Sequence, residues 1–179
     1  MQELEEKLKK VKIIVSDVDG VLTDGGLYLS GQEEEMKVFY SKDAPRTVIA
    51  RSSGLKILLV TARECQAVVR RANEMKVDLI FKGQLKEKKF LDMVKEKYGL
   101  EPEEIAYLGD DWSDMHLMKQ VGVAITPQDG SSENKEIADI ITDARGGRGV
   151  MAEAVEKIMR AQGTWEKYKT EFFAEFYQK

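Results

Sequence analysis

Short apolar runs alternate with amphipathic stretches along most of this 179-residue chain. The runs at 12–16, 56–61, 78–81, 105–108, 122–125 and 139–142 are rich in Ile, Leu and Val and apolar on both faces, which predicts strands buried within a parallel sheet. Between them, apolar residues at helical spacing predict helices over 65–75, 85–98, 113–121 and 150–161, with Gly99, Gly122 and Gly163 as punctuation. Strand and helix in alternation predict an α/β fold: a doubly wound, Rossmann-like parallel sheet flanked by helices, one domain over 1–179.

Two segments depart from that rhythm. In 26–40, GLYLSGQEEEMKVFY, the strand-like Leu27, Tyr28 and Leu29 precede a Ser30-Gly31 turn, after which Met36, Val38 and Tyr40 alternate. This predicts a β-hairpin inserted after the first strand, too short to be a cap domain. The tail 163–179 sets Trp165, Tyr168, Phe172 and Phe176 at helical spacing, a stripe suited to packing on its own domain or on a sister subunit.

Charge narrows the range of partners. Lys and Arg total 28 against 32 Asp and Glu, a net charge of −4, so the basic surface of a nucleic-acid or anionic-membrane binder is missing. No apolar stretch approaches the ~20 residues of a membrane span. The single cysteine, Cys65, and a start that is charged for ten residues lead us to expect a reducing, cytoplasmic setting and small-molecule chemistry.

The candidate chemistry lies at strand ends. In 11–26, VKIIVSDVDGVLTDGG, the first strand delivers Asp17 and Asp19 to the carboxyl edge of the sheet, where open α/β folds bind ligands. Carboxylates this close repel, and a cation between them relieves the repulsion. A second acidic cluster, Asp110, Asp111 and Asp114, follows the fourth strand, and pairing of that strand with the first would bring Asp110 to Asp17 in an all-oxygen site suited to Mg²⁺. One of Asp111 and Asp114 is expected to cap a helix. Thr61 ends the second strand with a hydroxyl beside a helix start, fit for phosphate oxygens or for capping. The basic run 82–89 opens a helix and could neutralise phosphate. His116 is the only histidine, too little for histidine-base or zinc chemistry.

Asp-x-Asp, Thr, Lys and Gly-Asp-Asp in this order resemble the haloacid dehalogenase superfamily of phosphoryl-transfer enzymes over nearly the whole chain. DVDGVLTDGG with a hairpin in place of a cap, TAR at 61–63, LGDDWSDM and the late RGGRG are similar to its capless subfamily, the 3-deoxy-D-manno-octulosonate 8-phosphate phosphatases and their sialic-acid-type relatives, which act on 9-phosphates. The resemblance implies a Mg²⁺-dependent phosphatase of a phosphorylated keto sugar acid, serving lipopolysaccharide biosynthesis and working as a homotetramer. Asp17 would be the nucleophile and Asp19 the acid and base. Asp17, the Asp19 backbone carbonyl and Asp110 would hold the metal, and Thr61 the phosphoryl group. Tyr40, Ser41, Lys42, Asp43 and Ala44, with Arg63 and Arg71, would face the sugar acid.

The pattern departs from the family in three places. Asp43-Ala44-Pro45 replaces an Asp-Gly pair, and Ala62 replaces a glycine. In ungapped register Glu87 stands at the place of the phosphate-binding lysine, which leaves Lys86, nearer the strand end, or Lys88 to supply the charge. These departures keep open a catalytically idle module that only binds or assembles.

Overall fold

The computed structural model describes residues 2–29, 35–63, 65–82 and 87–177. Helix α1 (Gln2–Lys10) precedes β1 (Ile13–Asp17), a small hairpin of β2 (Tyr28–Leu29) and β3 (Glu35–Met36), α2 (Asp43–Ser52) and β4 (Lys56–Thr61). Then come α3 (Gln66–Glu74), β5 (Leu79–Lys82), α4 (Glu87–Tyr98), a 3₁₀ turn at Pro102–Glu104 and β6 (Ile105–Leu108). The remainder is α5 (Met115–Met118), β7 (Val123–Thr126), α6 (Ser132–Ile137), β8 (Ile140–Ile141), α7 (Val150–Ala161) and α8 (Trp165–Tyr177).

Six strands pair in the order β5-β4-β1-β6-β7-β8, all parallel. Alternate residues of each strand enter opposite layers because side chains point to opposite faces of a pleated strand. Ile14, Ile57, Leu59, Ala106 and Leu108 pack with Val150, Val155 and Ile158 of α7 and with Ile49 and Val68. Ile13, Val15, Leu58, Val60 and Ile105 pack on the other face with Phe90 and Val94 of α4 and with Leu117. The expected doubly wound sheet is therefore formed, its strands bounded within about one residue of the hydrophobic runs, except that β8 is confined to two residues.

Several expectations change in detail. The charged opening is a helix, α1, because Leu4 and Leu8 lie one turn apart and pack on the core while its acids and lysines stay outside. Within the segment 40–44 expected to face the sugar acid, Asp43 and Ala44 begin α2 with Pro45 in its first turn, where a missing N–H costs no helical bond. The helix expected over 113–121 contracts to the four residues of α5. The hairpin forms, with Tyr28 opposite Met36 and Leu29 opposite Glu35, and its expected Ser30-Gly31 turn lies outside the described residues. Three of the four tail aromatics pack on their own domain: Trp165 is buried, and Tyr168 and Phe172 are partly buried against the same core as α7, while the side chain of Phe176 lies outside the described residues. Among the described residues, no helix is long and apolar enough to cross a membrane.

Candidate active site

β1 and β6 are neighbours, with Ser16 opposite Leu108, so the turns that follow both strands open at the same edge of the sheet. Ligand atoms of Asp17, Asp110 and Asp114 all lie within 4.8 Å of one another. Burial, then the charges of Asp114, Asp110 and Asp19, push the Asp17 carboxyl well above the usual carboxylate range. Burial with the neighbouring Asp114 and Asp111 raises Asp110 to about 7, and burial also raises Asp114. An edge that resists three negative charges and offers only oxygen donors fits a hard divalent cation such as Mg²⁺.

Asp114 does not act as the expected helix cap. Although it stands at the N-cap position of α5, its side chain makes no capping bond. The carboxylate turns back instead: Oδ2 accepts the backbone N–H groups of Asp110 at 2.9 Å and Asp111 at 3.2 Å, and Oδ1 accepts the Tyr107 hydroxyl at 2.6 Å. With both oxygens engaged, Asp114 anchors the turn that presents Asp110. Asp17 and Asp110 are the freer donors of the three.

Gly20 is required by this closeness. Its φ is +88°, and a Cβ there would sit 2.0 Å from Asp110 Oδ2, so any side chain would both strain the backbone and displace the carboxylate. The late RGGRG segment seals the same turn from outside. Gly147 N donates to Val21 O at 3.0 Å, and a Cβ on Gly146 would fall 2.2 Å from Gly20 O, so two backbones meet where only glycine fits.

Thr61 is buried at the end of β4, beside β1, and its hydroxyl oxygen accepts Arg63 N–H at 3.0 Å, which leaves the hydroxyl hydrogen to donate outward. Asp19 lies in the turn after Asp17. Its carboxylate is ion-paired to Lys37, just past β3, and the Thr23 hydroxyl lies 3.4 Å away. Lys37 also pairs with Glu35 at 2.8 Å, and Glu35 with Arg63 at 3.5 Å. Burial opposes the charge on Lys37, but the carboxylates of Asp19 and Glu35 outweigh it and hold its pKa above the ordinary lysine value.

The other expected contacts are distributed differently. Arg71 spans from Glu74 at 3.0 Å to the backbone carbonyls of Tyr40 and Ser41, fastening that segment to α3. Lys42 precedes α2 with its ammonium 5.7 Å from the centre of the Tyr40 ring. Asp43 points inward, accepting Ala152 N–H at 3.0 Å, and Ala44 packs against the core, so these two side chains tie α2 to the body of the domain. Lys86 and the side chain of Lys88 lie outside the described residues. Lys37, Glu35 and Tyr107 were not singled out by the motifs. Only Lys37 left a trace, as a cation set between Met36 and Val38 on the opposite face of an alternating strand.

A parallel sheet with acids at the ends of two adjacent central strands is an arrangement suited to phosphoryl transfer. A family model described as haloacid dehalogenase-like hydrolase matches residues 69–153. The 3-deoxy-D-manno-octulosonate 8-phosphate phosphatase of Escherichia coli K12 is 30% identical over 163 residues, covering 91% of this chain and 87% of that protein. The chain belongs to the haloacid dehalogenase-like hydrolases. Its structural relatives include the 3-deoxy-D-manno-octulosonate 8-phosphate phosphatase of Moraxella catarrhalis in complex with a magnesium ion, a phosphate ion and KDO, with TM-score 0.91, 31% identity, and 96% and 99% of the two chains covered. They also include the cobalt-bound Haemophilus influenzae enzyme, with TM-score 0.83, 28% identity, and 88% and 92% covered.

Proposed function

We propose that this protein is a Mg²⁺-dependent phosphatase of 3-deoxy-D-manno-octulosonate 8-phosphate that works through an aspartyl phosphate on Asp17. The observation that carries the reading is the meeting of Asp17 and Asp110 at one sheet edge, with Asp19 two residues beyond the nucleophile. A carboxylate oxygen of Asp17 attacks phosphorus, the ester bond breaks, and Asp19 gives its proton to the departing sugar oxygen. Asp19 then accepts a proton from water as that water attacks the acyl phosphate, releasing phosphate and Asp17. Mg²⁺, held by Asp17, Asp110 and the Asp19 carbonyl, would neutralise the charge shared by nucleophile and phosphate. The Thr61 hydroxyl donates to a phosphoryl oxygen, and Lys86 or Lys88 adds positive charge.

The likeness to the Moraxella catarrhalis and Escherichia coli enzymes supports the sugar and the metal. Assembly into a homotetramer belongs to the same proposal and draws support from Leu27, Leu29, Met36 and Val38, which stand exposed on the small hairpin. A second sugar acid, a sialic-acid-type 9-phosphate, is favoured by one observation: Asp43 and Ala44 are drawn into α2, which reshapes the segment expected to meet the sugar.

Phosphate release from both compounds, each with Mg²⁺ and with chelator, tests the reading. Magnesium-dependent release from the octulosonate supports it, and Asp17→Asn is expected to abolish that release without loss of fold. Release from the 9-phosphate alone transfers the reading to the second sugar. Turnover of neither leaves an idle module.

A further inference from the structure

The charge network joining the hairpin to Asp19 has no part in the steps above, yet it holds one of the reacting groups. The Lys37 side chain is only 1% exposed, although lysines seldom bury fully without a partner. Its ammonium lies between Asp19 and Glu35, and Glu35 is held in turn by Arg63. A buried cation fixed by two carboxylates has little freedom to move, so the Asp19 carboxylate it touches is fixed as well. The other described contact of that carboxylate is the Thr23 hydroxyl at 3.4 Å, too long to orient it alone.

We infer that Lys37 is a positioning residue, which together with Glu35 fixes the Asp19 carboxylate in place as the proton acceptor for hydrolysis of the aspartyl phosphate. In that half-reaction water loses a proton to Asp19, its oxygen bonds to phosphorus, and the bond between phosphorus and the Asp17 oxygen breaks. A proton acceptor must stay within hydrogen-bond reach of the attacking water, and a displacement of about 1 Å can cost about 10²-fold. An ammonium on one Asp19 oxygen sets the direction of the other. This inference rests on the role proposed for Asp19.

The test uses p-nitrophenyl phosphate with the full chain and Mg²⁺, because its leaving group needs no proton and the two half-reactions separate. Lys37→Met is expected to lower kcat about 10- to 100-fold while kcat/KM, which reports transfer to Asp17, stays within about threefold. A pre-steady-state burst of p-nitrophenolate approaching one per site should appear, and Lys37→Arg should recover part of kcat. Asp19→Asn should show the same split with a larger fall in kcat.

If Asp19→Asn leaves kcat intact, the role of Asp19 itself is wrong. If it shows the split and soluble, folded Lys37→Met does not, the inference about Lys37 is overturned. A parallel fall of kcat/KM in Lys37→Met also overturns it, making Lys37 a phosphate-binding cation. Should Lys37→Met not fold, Glu35→Gln provides the same readout, with a smaller kcat loss and a burst expected, and absence of both counts against the inference.

Discussion

The Tyr107 hydroxyl donates to Asp114 Oδ1 at 2.6 Å within the carboxyl end of the sheet, where both residues are buried. Burial, then the Asp114 and Asp17 charges, push the Tyr107 phenol well above its ordinary range, so it remains a donor at every pH the fold tolerates. Tyr107→Phe leaves that oxygen of Asp114 without its donor in a place water does not reach. The expected loss is about 1–3 kcal/mol of stability, read as a lower urea midpoint with unchanged slope, together with weaker Mg²⁺ binding as the Asp110 turn loosens.

Without metal, the acidic edge should make stability fall as pH rises. Asp17, Asp110 and Asp114 titrate above the ordinary 3.8, Asp110 at about 7, so the folded state binds more protons than the unfolded chain between those values. The Asp110 contribution is full below about 3.8 and is lost as pH climbs to about 7, and those of Asp17 and Asp114 are lost in the same direction as pH rises. In chelator, the thermal midpoint should be lower at pH 8 than at pH 5, and millimolar Mg²⁺ should close most of that gap while adding little at pH 5. A metal response of equal size at both pH values would show that carboxylate repulsion is not what the ion relieves.

The charges that act on Asp43 do not include the acids of that edge, so it gives a separate test. Burial lifts its carboxyl to about 6, against the pull of the Ala152 N–H and of Arg71 and Arg46. Ionisation therefore costs about 3 kcal/mol of stability, lost between roughly pH 4 and pH 6. Asp43→Asn keeps an oxygen for Ala152 and has nothing to ionise. It should be more stable than wild type at pH 7, and the difference should shrink towards pH 4, as followed by denaturant unfolding at the two pH values.

Gly20→Ala probes crowding at the metal edge directly. A methyl group there meets Asp110 and demands a left-handed backbone. Activity should fall about 10²-fold or more, with far-ultraviolet circular dichroism unchanged, because the sheet lies behind the turn. Gly54→Ala serves as the control, since its φ of +97° carries the same backbone strain but a Cβ there would meet nothing within 4 Å. Equal loss of activity in both variants would assign the effect to the backbone and not to Asp110.

The central sheet was legible because its strands are buried on both faces and announce themselves as unbroken apolar runs, as at 56–61 and 105–108. Asp17 and Asp110 were legible because they directly follow such runs. The helix α1 was not, since two leucines among charges make a weak stripe, and α2 was obscured by the proline in its first turn. The spacing of Asp111 and Asp114 suits capping by either one, whereas the conformation of Asp114 is set by Tyr107 from another element. Lys37 went unnoticed for a similar reason. Its partner is eighteen residues away, and only the folding of the hairpin over the turn brings the charges together.

The pairing of β1 with β6 joins segments from opposite halves of the chain. Before that long-range contact forms, Asp17 and Asp110 are ordinary, mutually indifferent carboxylates, and a nascent chain that has not yet extended past β6 has no ion site. A divalent cation that binds there recognises only the paired strands, so it favours the folded domain over the unfolded chain and should slow unfolding, seen as a longer unfolding half-time with Mg²⁺ than with chelator.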